Sequence, residues 1–154
     1  MGGLVVIKLL LEKDNLNVAG CIITSPLLGL AKNMHMPWFK KKFLTLIGED
    51  LSDFIVNSKV NPTALTKKTK YLYKVFEDRM MLPFMSVKMA KYMFEAVDYV
   101  KKNQDNFRYP IIIFHGKQDT VTNYEDSKHF IYNKVKPFKE FHLFQQGFHE
   151  LQHD

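Results

Sequence analysis

The sequence is short of cysteine, glycine and long apolar runs, and each shortage excludes a class of protein. One cysteine among 154 residues cannot form an internal disulfide, so a disulfide scaffold is excluded. Seven glycines are too few for a collagen repeat. A membrane-spanning helix needs about 18 consecutive apolar residues, and no run approaches that length. With 46% apolar and 25% charged residues the composition is that of one ordinary globular domain.

The net charge of +6 is spread along the chain. Lysine and asparagine are abundant throughout and form no basic block. We therefore interpret the charge as a bias of composition first, and we predict no nucleic-acid partner.

The first residues predict a short helix. Residues 4–11 are apolar except for Lys8. A signal peptide would require a continuous apolar stretch, and Lys8 breaks this one. A helix that is apolar almost all round belongs inside a protein. Such a helix at the first residue leads us to expect that a further segment belongs in front of it.

Three short apolar runs predict strands that are covered on both faces. They are residues 18–24, 109–114 and 138–144. The first run ends at Ser25-Pro26, the second at His115-Gly116 and the third at Gln145-Gln146-Gly147. A helical stretch between the second and third runs places Tyr124, Ile131 and Val135 on one face. The order of helices and strands predicts an α/β fold with a parallel sheet and right-handed crossovers.

Residues 27–106 carry no strand pattern and predict a helical cap inserted into an α/β core of residues 1–26 and 107–154. Pro37 is expected to open a helix whose apolar face holds Phe39, Phe43 and Ile47. A second apolar stripe at helical spacing consists of Met89, Met93, Ala96, Val97 and Val100. A helical insertion of this kind usually covers the carboxyl ends of the strands as a lid.

Asp119 and His149 each follow one of two successive predicted strands. Ligands and catalytic groups of open α/β sheets gather at the carboxyl ends of the strands. There an aspartate can accept the Nδ1 proton of a histidine, which leaves Nε2 free as a general base. The alternative is that Asp119 caps the following helix and that His149 is an ordinary loop residue; we favour the catalytic interpretation.

Residues 149–153 match the pattern H-E-x-x-H literally. On a helix this spacing places two imidazoles on one face for zinc, with the glutamate as general base. No established helix precedes His149 and no third ligand follows His153, so a zinc-dependent hydrolase stays the alternative from a different class. Cys21 lies within a predicted strand and is interpreted as a core residue.

The cap also contains aromatic and basic residues that suit a lipid surface, namely Trp38, Phe39 and Lys40 to Lys42. A cap helix that packs on its own domain explains the same residues and is preferred. A cytoplasmic or peripheral membrane location is expected, with possible peripheral membrane contact through the cap.

Four elements in order resemble the C-terminal half of the monoacylglycerol lipase and lysophospholipase branch of the α/β-hydrolases, the serine aminopeptidase-like hydrolases. Met1-Gly2-Gly3 matches the end of the family's nucleophile motif G-H-S-M-G-G, and residues 22–27 match its Ser-Pro-Leu element. Residues 110–119 match a proline-led strand with G-x-x-D. Residues 147–151 match the family's glycine and histidine before Glu-Leu.

The resemblance implies hydrolysis of a lipid or other carboxylic ester through an acyl-serine intermediate, without a metal or organic cofactor. Asp119 would be the triad acid, His149 the base, and the backbone N–H of Met1 an oxyanion-hole donor. The nucleophile would precede Met1, and none of the five serines lies in a G-x-S-x-G context. They are Ser25, Ser52, Ser58, Ser86 and Ser127. We therefore expect the chain alone to be inactive toward esters, with a non-catalytic lipid-binding module as a further alternative.

Overall fold

A three-stranded parallel sheet forms the centre of the molecule, as the sequence predicts. The computed structural model describes residues 1–13, 15–34, 54–58 and 60–154. Elements are numbered in chain order, and the sheet consists of β1 (Cys21–Thr24), β4 (Ile111–Gly116) and β5 (Lys139–Phe144), in the order β1-β4-β5. The predicted α/β fold with a parallel sheet is confirmed.

The three strands run in register, so their carboxyl ends meet at one edge of the sheet. Thr24 of β1 lies opposite Phe114 of β4, which lies opposite His142 of β5. In β4, Ile111 and Ile113 are buried while Ile112 and Phe114 are half-buried. The strand begins after Pro110, whose carbonyl accepts a hydrogen bond from the backbone of Cys21. Strand β1 begins at Cys21, the first residue to pair with β4, which is three residues later than the start of the apolar run.

Two helices pack together against this sheet. Helix α1 (Gly2–Glu12) buries Leu4, Ile7 and Leu10, a spacing that places them on one face. Helix α3 (Val87–Asn103) buries Val97 and Val100 in the same core cluster. Ser86 caps α3, because its hydroxyl accepts a hydrogen bond from the backbone N–H of Met89 at 3.1 Å.

The predicted apolar stripe of α3 is confirmed except at its first position. Met93 and Ala96 pack against the core cluster as partly buried residues, whereas Met89 is exposed. The first turn of the helix therefore presents the start of the stripe to solvent.

Helix α1 is apolar almost all round, but only one side of it is buried. Val5, Val6 and Leu9 lie on its exposed side. The prediction of a helix is confirmed, and the burial of its full circumference is not found among the described residues.

The segment between Leu27 and Asn106 contains strands that the sequence did not predict. Strand β2 (Ile55–Asn57) pairs antiparallel with β3 (Phe84–Ser86), and α2 (Thr69–Glu77) lies between them in the chain. The expectation of an all-helical segment is therefore wrong. Strands of three residues are too short to show the period-2 alternation from which a strand is recognised.

The helix expected to begin at Pro37, with Phe39, Phe43 and Ile47, lies outside the described residues, as do Trp38 and Lys40 to Lys42. In the part of the chain that the structure describes, no helix is both long enough and apolar enough to cross a membrane.

The connection between β4 and β5 begins as α4 (Tyr124–His129) and continues as a π-helical turn, Phe130–Lys134. The side chain of Asn123 caps α4 by accepting a hydrogen bond from the backbone of Glu125 at 3.0 Å. Ile131 and Val135 are buried as predicted, and Tyr124 is half-buried. The wider π turn brings Phe130 and Ile131 into the core together.

Candidate functional site

Two loops cross at the carboxyl edge of the sheet, one after β4 and one after β5. Their backbones touch at two glycines: a side chain on Gly116 would overlap the carbonyl oxygens of Gly147 and Phe148. The backbone N–H of Gln118 donates a hydrogen bond of 3.0 Å to the carbonyl of Gly147. Gly116 is therefore required by the close approach of the other backbone, whereas a side chain on Gly147 would first meet the side chain of Leu151. The approach of the two backbones brings the following residues of the two loops together.

Asp119 and His149 meet at this crossing. Nδ1 of His149 lies 2.9 Å from Oδ2 of Asp119. The side chain of Asp119 is fully buried, whereas that of His149 is 20% exposed. Among the described residues none forms a hydrogen bond with Nε2 of His149. One ring nitrogen is thus engaged by a buried carboxylate, while the other remains free to handle a proton.

The carboxylate of Asp119 is held from several sides. Oδ1 accepts hydrogen bonds from the backbone N–H groups of Val121 at 2.7 Å and Thr122 at 2.9 Å. Oδ2 accepts one from the hydroxyl of Thr122 at 2.6 Å. Burial alone would raise the pKa of Asp119, but hydrogen bonds from His115, His149 and Thr122 outweigh it and hold this pKa well below its ordinary value. The carboxylate is therefore ionised throughout the neutral range.

The loop that carries Asp119 is fastened to the segment after β1. The backbone N–H of Ala31 donates to the carbonyl of Val121 at 3.2 Å, and the N–H of Asn123 donates to the carbonyl of Gly29 at 2.9 Å. All three strands of the sheet thus contribute to the position of the acid.

His115, which sequence reasoning treated only as the end of a strand, belongs to this cluster. It is fully buried, and its Nε2 lies 3.2 Å from both Oδ2 of Asp119 and Oγ1 of Thr122. Its Nδ1 lies 3.0 Å from the hydroxyl oxygen of Ser127, which is also fully buried. The signal that could have found His115 is its place at the carboxyl end of the same buried strand, four residues before the acid.

The segment after His149 is clamped by residues 65–71. The backbone N–H of Glu150 donates to the carbonyl of Leu65 at 2.8 Å, and the hydroxyl of Thr66 donates to Oδ1 of Asp154 at 2.8 Å. The rings of Tyr71 and His153 stack with centroids 4.3 Å apart. Residues of the predicted cap therefore hold the turn that positions His149.

The H-E-x-x-H pattern does not form a helical metal site. Leu151–His153 is a single 3₁₀ turn, and Nδ1 of His153 lies 2.9 Å from a carboxylate oxygen of Glu150. His149 is instead directed to Asp119. The described residues contain no group of three or more His, Cys, Asp or Glu side chains arranged to hold a metal ion.

Cys21 lies in β1, and Met1 directly precedes α1. Burial raises the pKa of the half-buried Cys21 thiol to about 11, so it is protonated at neutral pH and unsuited to nucleophilic attack. Met1 precedes α1, and Gly3 in the first turn of that helix packs closely against Ile23 and Pro26. The amino end of α1 therefore lies at the same edge of the sheet as the two loops.

Ser25 marks a strained point at this edge. Its φ angle is 42°, in the left-handed region that non-glycine residues rarely occupy. Its backbone N–H donates to the carbonyl of Phe114 at 2.9 Å, which ties the turn to β4. Among the described residues its hydroxyl is the buried side-chain polar atom that has no hydrogen-bond partner.

Comparison with known proteins gives a family and a fold. Residues 1–154 match the family described as serine aminopeptidase, S33. A curated relative, an uncharacterized abhydrolase domain-containing protein of Dictyostelium discoideum, is 24% identical over 99% of this chain but only 16% of its own length.

Solved structures share the fold, and they include two lipases. The monoacylglycerol lipase of Paleococcus ferrophilus has a TM-score of 0.86 at 20% identity, and it aligns with 96% of this chain and 56% of its own. A soluble variant of monoglyceride lipase from Saccharomyces cerevisiae, in complex with a substrate analog, has a TM-score of 0.81 at 21% identity, over 96% of this chain and 51% of that one. The chain therefore spans about half the length of these structures.

Proposed function

The chain belongs to the serine aminopeptidase S33 family, and on this premise we propose that residues 1–154 supply the acid and the base of a Ser-His-Asp triad that hydrolyses lipid esters. The observation that carries the proposal is the contact of 2.9 Å between Nδ1 of His149 and Oδ2 of the buried Asp119. Asp119 fixes the ring with its proton on Nδ1. Nε2, which no described residue contacts through a hydrogen bond, is then the atom that removes the proton of an attacking serine hydroxyl and later returns it to the leaving alcohol.

In this proposal the serine nucleophile lies directly before Met1, and the amino end of α1 lies beside one donor of the oxyanion hole. The backbone N–H of Met1 is one donor to the developing oxyanion, since that donor follows the nucleophile in the chain. The location of the amino end of α1 at the same edge of the sheet supports this role. The amino terminus of a helix presents free N–H groups, which suit a negatively charged intermediate.

Because no serine within residues 1–154 lies in a G-x-S-x-G context, we infer that these residues by themselves hydrolyse no ester. An acid and a base without a nucleophile form no acyl-enzyme. A fluorophosphonate probe, which labels activated serines, is expected to leave the 154-residue polypeptide unlabelled. Labelling at any of its serines would contradict this inference.

The catalytic proposal is tested in a chimera that joins residues 1–154 to the part of the Paleococcus ferrophilus lipase that precedes the matched region. We expect hydrolysis of a monoacylglycerol that falls by about a thousandfold or more in His149→Ala and in Asp119→Ala. His142→Ala is the matched control, because His142 also contacts a carboxylate, that of Glu140, but lies on the exposed side of β5.

Other outcomes of this experiment would contradict the proposal. Activity that is sensitive to a chelator and lost in Glu150→Ala and His153→Ala would favour zinc chemistry. A folded chimera that binds monoacylglycerol without hydrolysing it would favour a non-catalytic lipid-binding module.

Exposed apolar residues between Leu27 and Asn106 support peripheral contact with lipid. Met80 is 87% exposed, and Ile55, Phe76 and Leu82 are also exposed. Helix α2 adds the basic residues Lys70 and Lys74, which favour an anionic surface. We expect the protein to sediment with anionic vesicles and the double variant Phe76→Asp, Met80→Asp to lose this binding. Equal binding of both proteins would contradict the contact.

A further inference from the structure

Two imidazole rings, those of His149 and His115, lie within 3.2 Å of the same oxygen of Asp119, and only His149 belongs to the proposed triad. Oδ2 lies 2.9 Å from Nδ1 of His149 and 3.2 Å from Nε2 of His115, and it accepts the Thr122 hydroxyl at 2.6 Å. A carboxylate oxygen has about two lone pairs, so three donors compete for it. The strength of the bond to His149 therefore depends on the other two donors.

The hydroxyl of Thr122 determines which nitrogen of His115 carries a proton. This hydroxyl has a single hydrogen, which is directed to Oδ2 of Asp119 at 2.6 Å. Nε2 of His115, at 3.2 Å from the same hydroxyl oxygen, consequently faces two acceptors, Oγ1 of Thr122 and Oδ2 of Asp119. A bare nitrogen in that position would be repelled by both, so Nε2 bears the proton.

Ser127 completes the arrangement on the other side of the ring. Its hydroxyl lies 3.0 Å from Nδ1 of His115, and both residues are fully buried. With the proton on Nε2, Nδ1 is the acceptor and the Ser127 hydroxyl is the donor. Every polar atom of the buried imidazole is then satisfied, which a buried ring requires.

Resting on the proposed function, we propose that His115 is a positioning residue that donates from Nε2 to Oδ2 of Asp119 and thereby limits how strongly that oxygen binds His149. His115 touches no substrate in this scheme. It acts through Asp119, and Ser127 keeps its proton on the nitrogen that faces the acid. The base would thus be held in the correct tautomer without being bound so tightly that its ring is drawn away from the serine.

The tautomers provide a direct test that needs no catalytic activity. In the full chain labelled with nitrogen-15, NMR near neutral pH is expected to show a proton on Nε2 of His115 and a proton on Nδ1 of His149. A bare Nε2 on His115 would overturn the proposal.

The effect on His149 is tested by His115→Phe, which removes the donor and retains a flat ring. We expect the Nδ1 proton of His149 to move downfield, because Oδ2 then has one donor fewer and accepts more strongly. His115→Gln retains an N–H donor and should leave the resonance close to its native position. His142→Phe, which removes a carboxylate-bonded histidine elsewhere on the sheet, is the control.

If His115→Phe does not fold, His115→Leu gives the same information. It also removes the Nε2 donor that faces Oδ2 of Asp119, so the His149 resonance is again expected to move downfield. An unmoved His149 proton in the folded variants overturns the proposal. The native protein should show an Nδ1 proton on His149 whose resonance is displaced in Asp119→Asn. If it does not, the Asp119–His149 pairing of the proposed function itself fails.

Discussion

Two regions beside the same small sheet differ in how their chemical groups are covered. One is the corner where the loops after β4 and β5 cross around Asp119, and the other is the outer side of α1 and β1. At the corner, two loops and the segment after β1 surround a buried carboxylate whose acceptor positions are all used. On the outer side, Val5 and Leu9 of α1 are exposed, and Ile22 of β1 is 71% exposed. Among the described residues, the carboxylate of Asp119 is therefore fully hydrogen-bonded, whereas apolar side chains on the outer side of α1 and β1 stay exposed.

The outer side also has an unpaired strand edge. In the part of the chain that the structure describes, β1 pairs with β4 and has no second neighbour. Apolar strand edges are sites at which further strands pair. The expectation that a further segment belongs in front of α1 stays a prediction.

The largest effect is expected from removing the acid at the satisfied corner. Asp119→Ala leaves the N–H groups of Val121 and Thr122, the Thr122 hydroxyl and the His115 ring without their acceptor. Since breaking a buried charged network costs roughly 3–5 kcal/mol, we expect a loss of that order in the free energy of unfolding, measured by denaturant titration. A loss below about 1 kcal/mol would show that the corner is not a tight network.

Acid should weaken the native protein through the same residue. Burial alone would raise the pKa of Asp119, but hydrogen bonds led by that of His115 hold it below its unfolded value of about 3.9. The unfolded state therefore binds the proton first, and stability that is full at neutral pH falls progressively below about pH 5.

The measurement is the free energy of unfolding against pH in the native protein and in Asp119→Asn. The variant should show a flatter acid limb. Asp154→Asn is the comparison, because the pKa of Asp154 is also lowered, despite some burial, by hydrogen bonds from Phe148, Thr66 and Lys67. Equal acid limbs in the native protein and Asp119→Asn would contradict this assignment.

A smaller effect is expected where the two loops touch. Gly116→Ala introduces a methyl group against backbone carbonyls that cannot move aside, so we expect a loss of about 1–3 kcal/mol in the free energy of unfolding. Gly2→Ala is the matched control, since a side chain at Gly2 meets open space at the start of α1. Equal stability of the two variants would show that the loops do not approach as closely as described.

The smallest effect on folding is expected on the outer side. Ile22→Lys places a charge beside the free edge of β1 and should change the free energy of unfolding by no more than about 0.5 kcal/mol. It should reduce self-association, measured by light scattering over a range of concentrations, because charged edges resist further strand pairing. Unchanged self-association would indicate that molecules do not associate through this edge of β1.

The sequence predicted the parts that repeat a local pattern over enough residues. Three apolar runs gave β1, β4 and β5, and helical spacing gave α1 and most of the buried stripe of α3. The pair of β2 and β3 was missed because each strand has only three residues. The π-helical turn Phe130–Lys134 was not predicted, because one extra residue in a single turn does not change the pattern of apolar residues enough to be recognised.

Sequence alone determined which chemistry is available: an aspartate and a histidine after successive parallel strands, and no serine in a nucleophile motif. Tertiary structure alone decided which partners each atom has. Asp119 meets His149 because Gly116 and Gly147 allow two backbones to touch, and it meets His115 because buried polar atoms must find acceptors in the fold. Contacts between residues distant in the chain depend on backbone geometry in three dimensions, and no local pattern of residues encodes them.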